Sequence, residues 1–264
     1  MKAMKAVVSP HEWQLWYQKI VNEFGYDPNR DQFATDILSR LIYQRSLDPR
    51  ILERMVSGKP VLIFGAGPSL EGDIVKLKER NLLRKFVVVC ADGATSALLN
   101  VANYVPNIVV SDLDGFIPDL KVASRSGSIM VIHGHGDNIK LLKRYVPLFD
   151  KIVGITQVEP RPGIYNFGGF TDGDRAVFLA ASMEAKLVVV AGMDLGEVVG
   201  EYSKKHVKSV KTKILKLKIC KELLEWLCSK VDIPFYNITG HGESIKGFIN
   251  VTCPQLEQVL GATI

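Results

Sequence analysis

Val61-Leu-Ile-Phe-Gly-Ala-Gly-Pro-Ser-Leu70 decides the fold. Four apolar residues run into two glycines and then into a segment able to form a helix. A short unbroken apolar run suits a strand buried on both faces, and glycine supplies the sharp exit from it. Outward from this stretch the pattern recurs at Phe86–Cys90, Ile108–Val110, Ile129–Ile132, Ile152–Ile155 and Leu187–Ala191. Helix-competent segments lie between, most clearly Ala94–Val101, Asn138–Tyr145 and Asp174–Glu184. Alternation of strand and helix predicts a three-layer α/β fold with a mostly parallel, Rossmann-like sheet.

Upstream, the first fifty residues read as helical. Ser9, Pro10 and Glu12 form a helix start signal, and Trp13, Trp16, Tyr17, Ile20 and Phe24 follow at helical spacing up to Gly25. A second helix begins near Asp27-Pro28 and carries Phe33, Ile37, Leu38, Leu41 and Ile42. The tryptophans are read as packing. The expected organisation is a helical lead-in over residues 1–57 and an α/β catalytic domain over 58–264. Downstream, Ile214, Leu217, Leu224 and Leu227 predict one amphipathic helix over most of Lys204–Lys230, and Phe248–Val251 reads as an edge strand.

The chain has 264 residues, 47% hydrophobic and 23% charged, which excludes disorder and allows a sizeable core. No apolar run approaches the ~20 residues of a membrane helix, and Met1–Pro10 lacks the features of a signal peptide. A cytoplasmic protein without a membrane role is expected. The four cysteines form no CxxC pair and are read as reduced thiols. Net charge is +5, but nine lysines and two glutamates between Ser203 and Lys230 put +7 there and leave −2 for the rest. Such a local basic segment suits a polyphosphate, and no motif or aromatic interleaving supports nucleic acid.

In open α/β sheets, ligands bind beyond the carboxyl ends of the strands. There this sequence repeatedly places glycine and aspartate. Gly65, Gly67 and Ser69 leave the first strand as a phosphate-loop candidate, although Leu70 stands where a dinucleotide fingerprint has its third glycine. Asp92-Gly93 follows the second strand, and Ser111-Asp112-Leu113-Asp114-Gly115 the third. Two carboxylates at i and i+2 on a strand end can serve one hard cation such as magnesium. His133-Gly-His135-Gly-Asp137-Asn138 follows the fourth strand. Its histidines lack a third zinc ligand at a familiar spacing, and its glycines suggest close backbone approach to a ligand. Asp172, Asp174 and Arg175 enter a later helix, and Asp194 follows the sixth strand. Each alone has an ordinary reading as a cap or turn. Seven strand-end aspartates together call for a cation, because clustered carboxylates repel one another.

The blocks Gly65-x-Gly-Pro-Ser-Leu70, Ala91-Asp-Gly-Ala-Thr-Ser96, Ser111–Gly115, His133–Asn138 and Gly169–Arg175 resemble the archaeal 6-hydroxymethyl-7,8-dihydropterin pyrophosphokinase family. That family is in turn similar to thiamine pyrophosphokinases. The resemblance runs from about Gly58 to the C-terminus. It implies a thiamine-pyrophosphokinase-like fold, ATP as co-substrate, Mg2+, a pterin alcohol as acceptor and AMP as product. On this reading Asp92, Asp112, Asp114 and Asp137 hold the metal, and Asp112, Asp114 and Asp137 are the catalytic set. Asp172 or Asp174 holds the pterin and Arg175 a phosphate. Gly65, Gly67, Ser69 and Gly93, with Lys204, Lys205, His206, Lys208 and Lys211, bind the nucleotide. Gly115 replaces a serine of the thiamine enzymes, and Gly168–Asp172 echoes their Gly-Gly-Arg-x-Asp block loosely, which favours the pterin. Thiamine diphosphorylation and a non-catalytic nucleotide-binding module are the competing readings. A homodimer is compatible with the chain.

Overall fold

A computed structural model of the chain describes residues 7–196, 200, 202, 210–240 and 242–262. Lys204, Lys205, His206 and Lys208 lie outside the described residues.

Helices α1 (Pro10–Phe24), α2 (Pro28–Leu41) and α3 (Arg50–Val56) precede strand β1 (Pro60–Phe64). The expected start signal is formed: Ser9 and Glu12 exchange a reciprocal capping box, and Pro10 fills the first turn. Gly25 ends α1 at φ +65°, a left-handed conformation that glycine adopts without a Cβ penalty. Then follow α4 (Leu70–Glu79), β2 (Val87–Ala91), α5 (Ala94–Ala97), β3 (Ile108–Ser111), α6 (Ile117–Arg125), β4 (Ile129–His133) and α7 (Ile139–Tyr145). The chain continues through β5 (Ile152–Ile155), β6 (Ile164–Tyr165), α8 (Asp172–Ser182) and β7 (Leu187–Ala191). It closes with α9 (Val210–Cys228), β8 (Phe235–Asn237), β9 (Phe248–Asn250) and α10 (Cys253–Ala262). The lysine-rich helix therefore starts at Val210 in the described residues. All six apolar runs are strands, and β9 is an edge as expected. The two- and three-residue strands β6 and β8 are additions.

The nine strands order as β6-β5-β4-β3-β2-β1-β7-β8-β9. Every strand pairing is parallel, so the mostly parallel sheet is wholly so. Side chains alternate across it. Val61 and Ile63 enter one core with α1, α3, α8 and α9. Leu62 and Phe64 face the other way, onto α4, α5 and α10, and farther along that face Val109 and Met130 meet α2, α6 and α7. Each such aliphatic or aromatic side chain contributes about 1.5–3 kcal/mol on burial.

α8 is decisive for the site. Residues Gly173–Ser182 are all buried, and the small Ala176, Ala180 and Ala181 let the helix lie against the middle strands. It carries the chain from the β6 edge back to β7 beside β1. Its N-terminus consequently points over the carboxyl ends of the central strands. No helix among the described residues is long and apolar enough to cross a membrane. Cys90, Cys220 and Cys253 are buried, Cys228 is half-buried, and all four are free thiols.

Candidate active site

The order of the sheet puts the exits of β2, β3 and β4 side by side, and there three carboxylates meet. Asp92 leaves β2, and Asp112 and Asp114 leave β3. One oxygen from each lies within 4.8 Å of the others. Local backbone makes this convergence. Leu113, between the two β3 aspartates, is held at φ +68°, uncommon and costly for a residue with a Cβ. Its side chain is buried and its N–H donates to Ser111 Oγ at 2.8 Å. The left-handed turn lets two residues at i and i+2 present one carboxylate group each to the same place. Ser111 Oγ also donates to Asp92 Oδ1 at 2.6 Å. A Cβ on Gly115 would run into the Asp92 carboxylate, so glycine is required there by close approach.

The β4 exit orients Asp112. His135 Nε2 lies 3.2 Å from Asp112 Oδ2, and His135 Nδ1 accepts from the Asp137 N–H at 3.2 Å. The amide bond to Nδ1 leaves the proton of the neutral ring on Nε2, where it donates to Asp112. Asn138 ties the same loop, donating to the carbonyls of Asp112 and His133 at 2.8 and 2.7 Å. His133 is buried and stacks on His135 with ring centres 5.3 Å apart, so the two imidazoles do not converge on a metal. Burial first, then the charge of Arg175, pushes the His133 pKa well below its usual value and keeps the ring neutral.

The glycines of this loop accommodate α2. A Cβ on Gly136 would press on Arg30 at 2.8 Å, and one on Gly134 would meet Ala34 and Leu38 at 3.3 Å. Asp31 of α2 accepts the Gly136 N–H at 2.7 Å, the Tyr17 hydroxyl at 2.7 Å and the Gln157 amide at 2.6 Å. The expectation that these glycines admit a ligand is therefore corrected: the close backbone is that of the helical lead-in, which positions the His135 loop.

Asp172, at the α8 N-terminus, lies near enough to the cluster to feel its charge. Burial raises its pKa well above the ordinary carboxylate range, and the charges of Asp112 and Asp92 raise it further. Asp174 behaves differently. Its Oδ1 accepts from the Thr171 N–H and hydroxyl, both at 2.6 Å, and its Oδ2 accepts from the Phe170 N–H at 2.8 Å. Both oxygens are committed to capping α8. Arg175 is buried and donates through Nη2 to Gln157 Oε1 at 2.8 Å and to the Phe170 carbonyl at 3.0 Å. It braces the head of α8 from within. Asp137 lies outside the trio: its side chain is 70% exposed and sits 3.8 Å from Arg30.

The β1 exit corrects a further expectation. Gly65 N–H donates to the Ala191 carbonyl at 2.9 Å and Gly67 N–H to the Gly192 carbonyl at 2.7 Å. Asp194 Oδ2 takes the Ser69 N–H at 3.0 Å and the Ser69 hydroxyl at 2.8 Å. These amides are satisfied inside the protein, with a carboxylate beside them, so Gly65, Gly67 and Ser69 do not present a row of N–H groups to a phosphate. Gly93 lies under the Tyr202 carbonyl, where a Cβ would collide with it. Lys211 is exposed at the start of α9.

Among proteins of known family, residues 41–200 match the family described as 6-hydroxymethylpterin diphosphokinase MptE-like. The chain belongs to that family. A relative from Methanothermobacter thermautotrophicus, a 6-hydroxymethyl-7,8-dihydropterin pyrophosphokinase, is 41% identical over 84% of this chain and 96% of its own. Relatives of the same name from Methanocaldococcus jannaschii and Pyrococcus furiosus are 40% and 42% identical, over 85% and 82% of this chain and 98% and 93% of theirs. Among solved structures, MAf glycosyltransferase from Magnetospirillum magneticum AMB-1 superposes with a TM-score of 0.57 at 15% identity. That likeness covers 97% of this chain and 45% of the glycosyltransferase, and it concerns the fold alone. The family resemblance read from Gly65, Asp92, Asp112, His133 and Gly169 onward is thereby borne out.

Proposed function

We propose that this member of the family transfers the β,γ-diphosphate of ATP to 6-hydroxymethyl-7,8-dihydropterin in the cytoplasm. The observation that carries the reading is the convergence of Asp92, Asp112 and Asp114 at the exits of β2 and β3. Three carboxylates of hard oxygen, one of them exposed, fit Mg2+ bound together with phosphate oxygens and water. Asp92, Asp112 and Asp114 would hold the ion, which when bound neutralises phosphate charge as a Lewis acid.

The acceptor's hydroxymethyl oxygen attacks the β-phosphorus of ATP. A new oxygen–phosphorus bond forms, the bond between the β-phosphorus and the bridging oxygen breaks, and that oxygen leaves with AMP. The hydroxyl proton is released. Such a transfer depends on in-line positioning and charge stabilisation more than on covalent participation. His135 fixes the rotamer of Asp112 through its Nε2–H. Asp172 accepts from the amino and ring N–H groups of the pterin, since a carboxylate offers acceptors only. A ligand with those donors also offsets the cost of a carboxylate held beside Asp92 and Asp112.

The test is AMP release from ATP and MgCl2 with 6-hydroxymethyl-7,8-dihydropterin, with thiamine, and without acceptor. AMP with the pterin alone is expected. AMP with thiamine alone would overturn the acceptor, and AMP without acceptor would overturn the transfer itself.

A further inference from the structure

The lysines of α9 occupy two kinds of surface. Lys211 and Lys218 are exposed, and Lys221 pairs with Glu243 at 2.6 Å. Lys216 is half-buried, with Nζ 5.6 Å from the ring centre of Phe170 and 5.9 Å from that of Tyr26. Phe24 completes this aromatic wall, 5.4 Å from Tyr26 and 5.2 Å from Phe170. The wall comes from two distant places in the chain. Phe24 and Tyr26 flank Gly25 at the end of α1, and Phe170 immediately precedes Thr171, the cap of α8. It therefore stands beside the carboxylate cluster, two residues from Asp172.

Ring faces attract an ammonium group, but each such contact is weak at a partly exposed site, about 0.5–1 kcal/mol. They do not neutralise it. Among the described residues no carboxylate lies within 4.0 Å of Nζ, so Lys216 has no ion pair there. Burial depresses its pKa, while Asp112, Asp137 and Asp172, which reach it from other elements, act to keep it charged. Once a divalent cation engages Asp112, the first of these, that carboxylate no longer serves the ammonium. A polyphosphate bound in the same place would replace it, because it carries more charge than one divalent cation cancels.

We propose that Lys216 contacts the β- and γ-phosphates of ATP and holds the diphosphate opposite the Asp92–Asp112–Asp114 cluster. The proposal rests on the diphosphate-transfer reading and adds a residue to it. Lys216 lies on the apolar stretch of α9, beyond the lysines whose spacing had suggested phosphate binding. Its rigid aromatic bed fixes the position of an otherwise flexible four-carbon stem.

The experiment compares binding of two ligands to wild type, Lys216→Met and Lys216→Arg, by titration calorimetry in MgCl2. The ligands are α,β-methylene-ATP, whose bridge cannot be cleaved, and AMP, which lacks the β- and γ-phosphates. Lys216→Met is expected to weaken the analogue about 10- to 100-fold, the loss of one charged contact, and AMP less than about twofold. Lys216→Arg is expected to restore most of the analogue affinity. Unchanged analogue affinity in Lys216→Met overturns the proposal. So does an equal loss for both ligands accompanied by a lower Tm, which marks a packing role. If wild type forms no AMP with the pterin while Lys216→Met loses the analogue selectively, the acceptor assignment fails and the Lys216 contact stands. If wild type turns over and Lys216→Met binds the analogue normally, Lys216 fails and the transfer stands.

Discussion

Two strand-end regions of this protein have nearly the same composition and opposite fates. At the β1 and β7 exits, Gly65–Ser69 and Gly192–Asp194 bond to each other through the Gly67 amide and the Ser69 amide and hydroxyl. At the β2 and β3 exits, Asp92, Asp112 and Asp114 turn their oxygens toward one point. The first region is the place where strand order reverses, and an open sheet would ordinarily bind its ligand there. Here the reversal point is closed by internal hydrogen bonds, and the carboxylates gather one and two strands away. Glycine and aspartate at a strand exit thus mark a place where backbones approach closely. Whether a ligand or another loop makes the approach depends on which strands become neighbours.

The largest effect that separates the two regions is expected from neutralising one aspartate in each. Asp112→Asn should lower AMP release about 1,000-fold, through loss of the charge that holds the cation. The fold should survive, because the amide oxygen still accepts from His135. Differential scanning calorimetry with and without MgCl2 should show a metal-dependent rise in Tm for wild type that this variant lacks. Asp194→Ala should do the reverse. It strips the Ser69 N–H of its acceptor, leaves the Ser69 hydroxyl to Asp73 Oδ2 at 2.9 Å, and costs about 1–3 kcal/mol in urea unfolding. The folded fraction should keep wild-type turnover. If Asp194→Ala abolished turnover without loss of stability, the β1 exit would belong to the site after all.

A second pair sharpens the contrast with a single methyl group. A Cβ at Gly115 meets the Asp92 carboxylate, whereas one at Gly67 meets the Gly192 carbonyl at 2.6 Å and the Asp194 carboxylate. Gly115→Ala pushes on a side chain and should weaken Mg2+ binding about tenfold with little change in Tm. Gly67→Ala pushes on backbone and should cost about 1–3 kcal/mol with Mg2+ affinity kept. Equal effects on both quantities in both variants would erase the distinction between the regions.

The fold was legible in the sequence because a parallel strand buried on both faces leaves an unbroken β-branched run, as at Phe86–Cys90 and Leu187–Ala191. β6 and β8 were not, since two or three residues carry no periodicity. In the site, Asp92, Asp112 and Asp114 were legible from their places after strands. The left-handed Leu113 that makes two of them converge was not, because leucine gives no signal for that conformation. His135 read as half of an HxH pair, and its task became visible only with Asp112 3.2 Å away. Asp174 and Asp172 are indistinguishable by type and spacing, and hydrogen-bond geometry alone marks Asp174 as the cap. Lys216 was hidden among nine lysines of one segment, since its aromatic bed is assembled from residues more than 140 positions apart in the chain.

The smallest expected effect concerns Asp137, which the family resemblance placed among the metal ligands and the catalytic set. It follows β4 as Asp112 follows β3, but the Asn138 bonds turn the loop so that His135 faces the cluster. Asp137 is left at the surface, 3.8 Å from Arg30, and an exposed pair of this kind is worth about 0–1 kcal/mol. Its backbone N–H, which sets the His135 tautomer, is kept by any substitution except proline. Asp137→Asn should therefore change kcat and KM for ATP by less than about twofold, where removal of a metal-held charge costs orders of magnitude. A loss comparable to that of Asp112→Asn would mean that the His133–Asn138 loop rearranges when ATP binds and brings Asp137 to the cation. The boundary between the capping residues and the metal-binding residues would then move with the ligand.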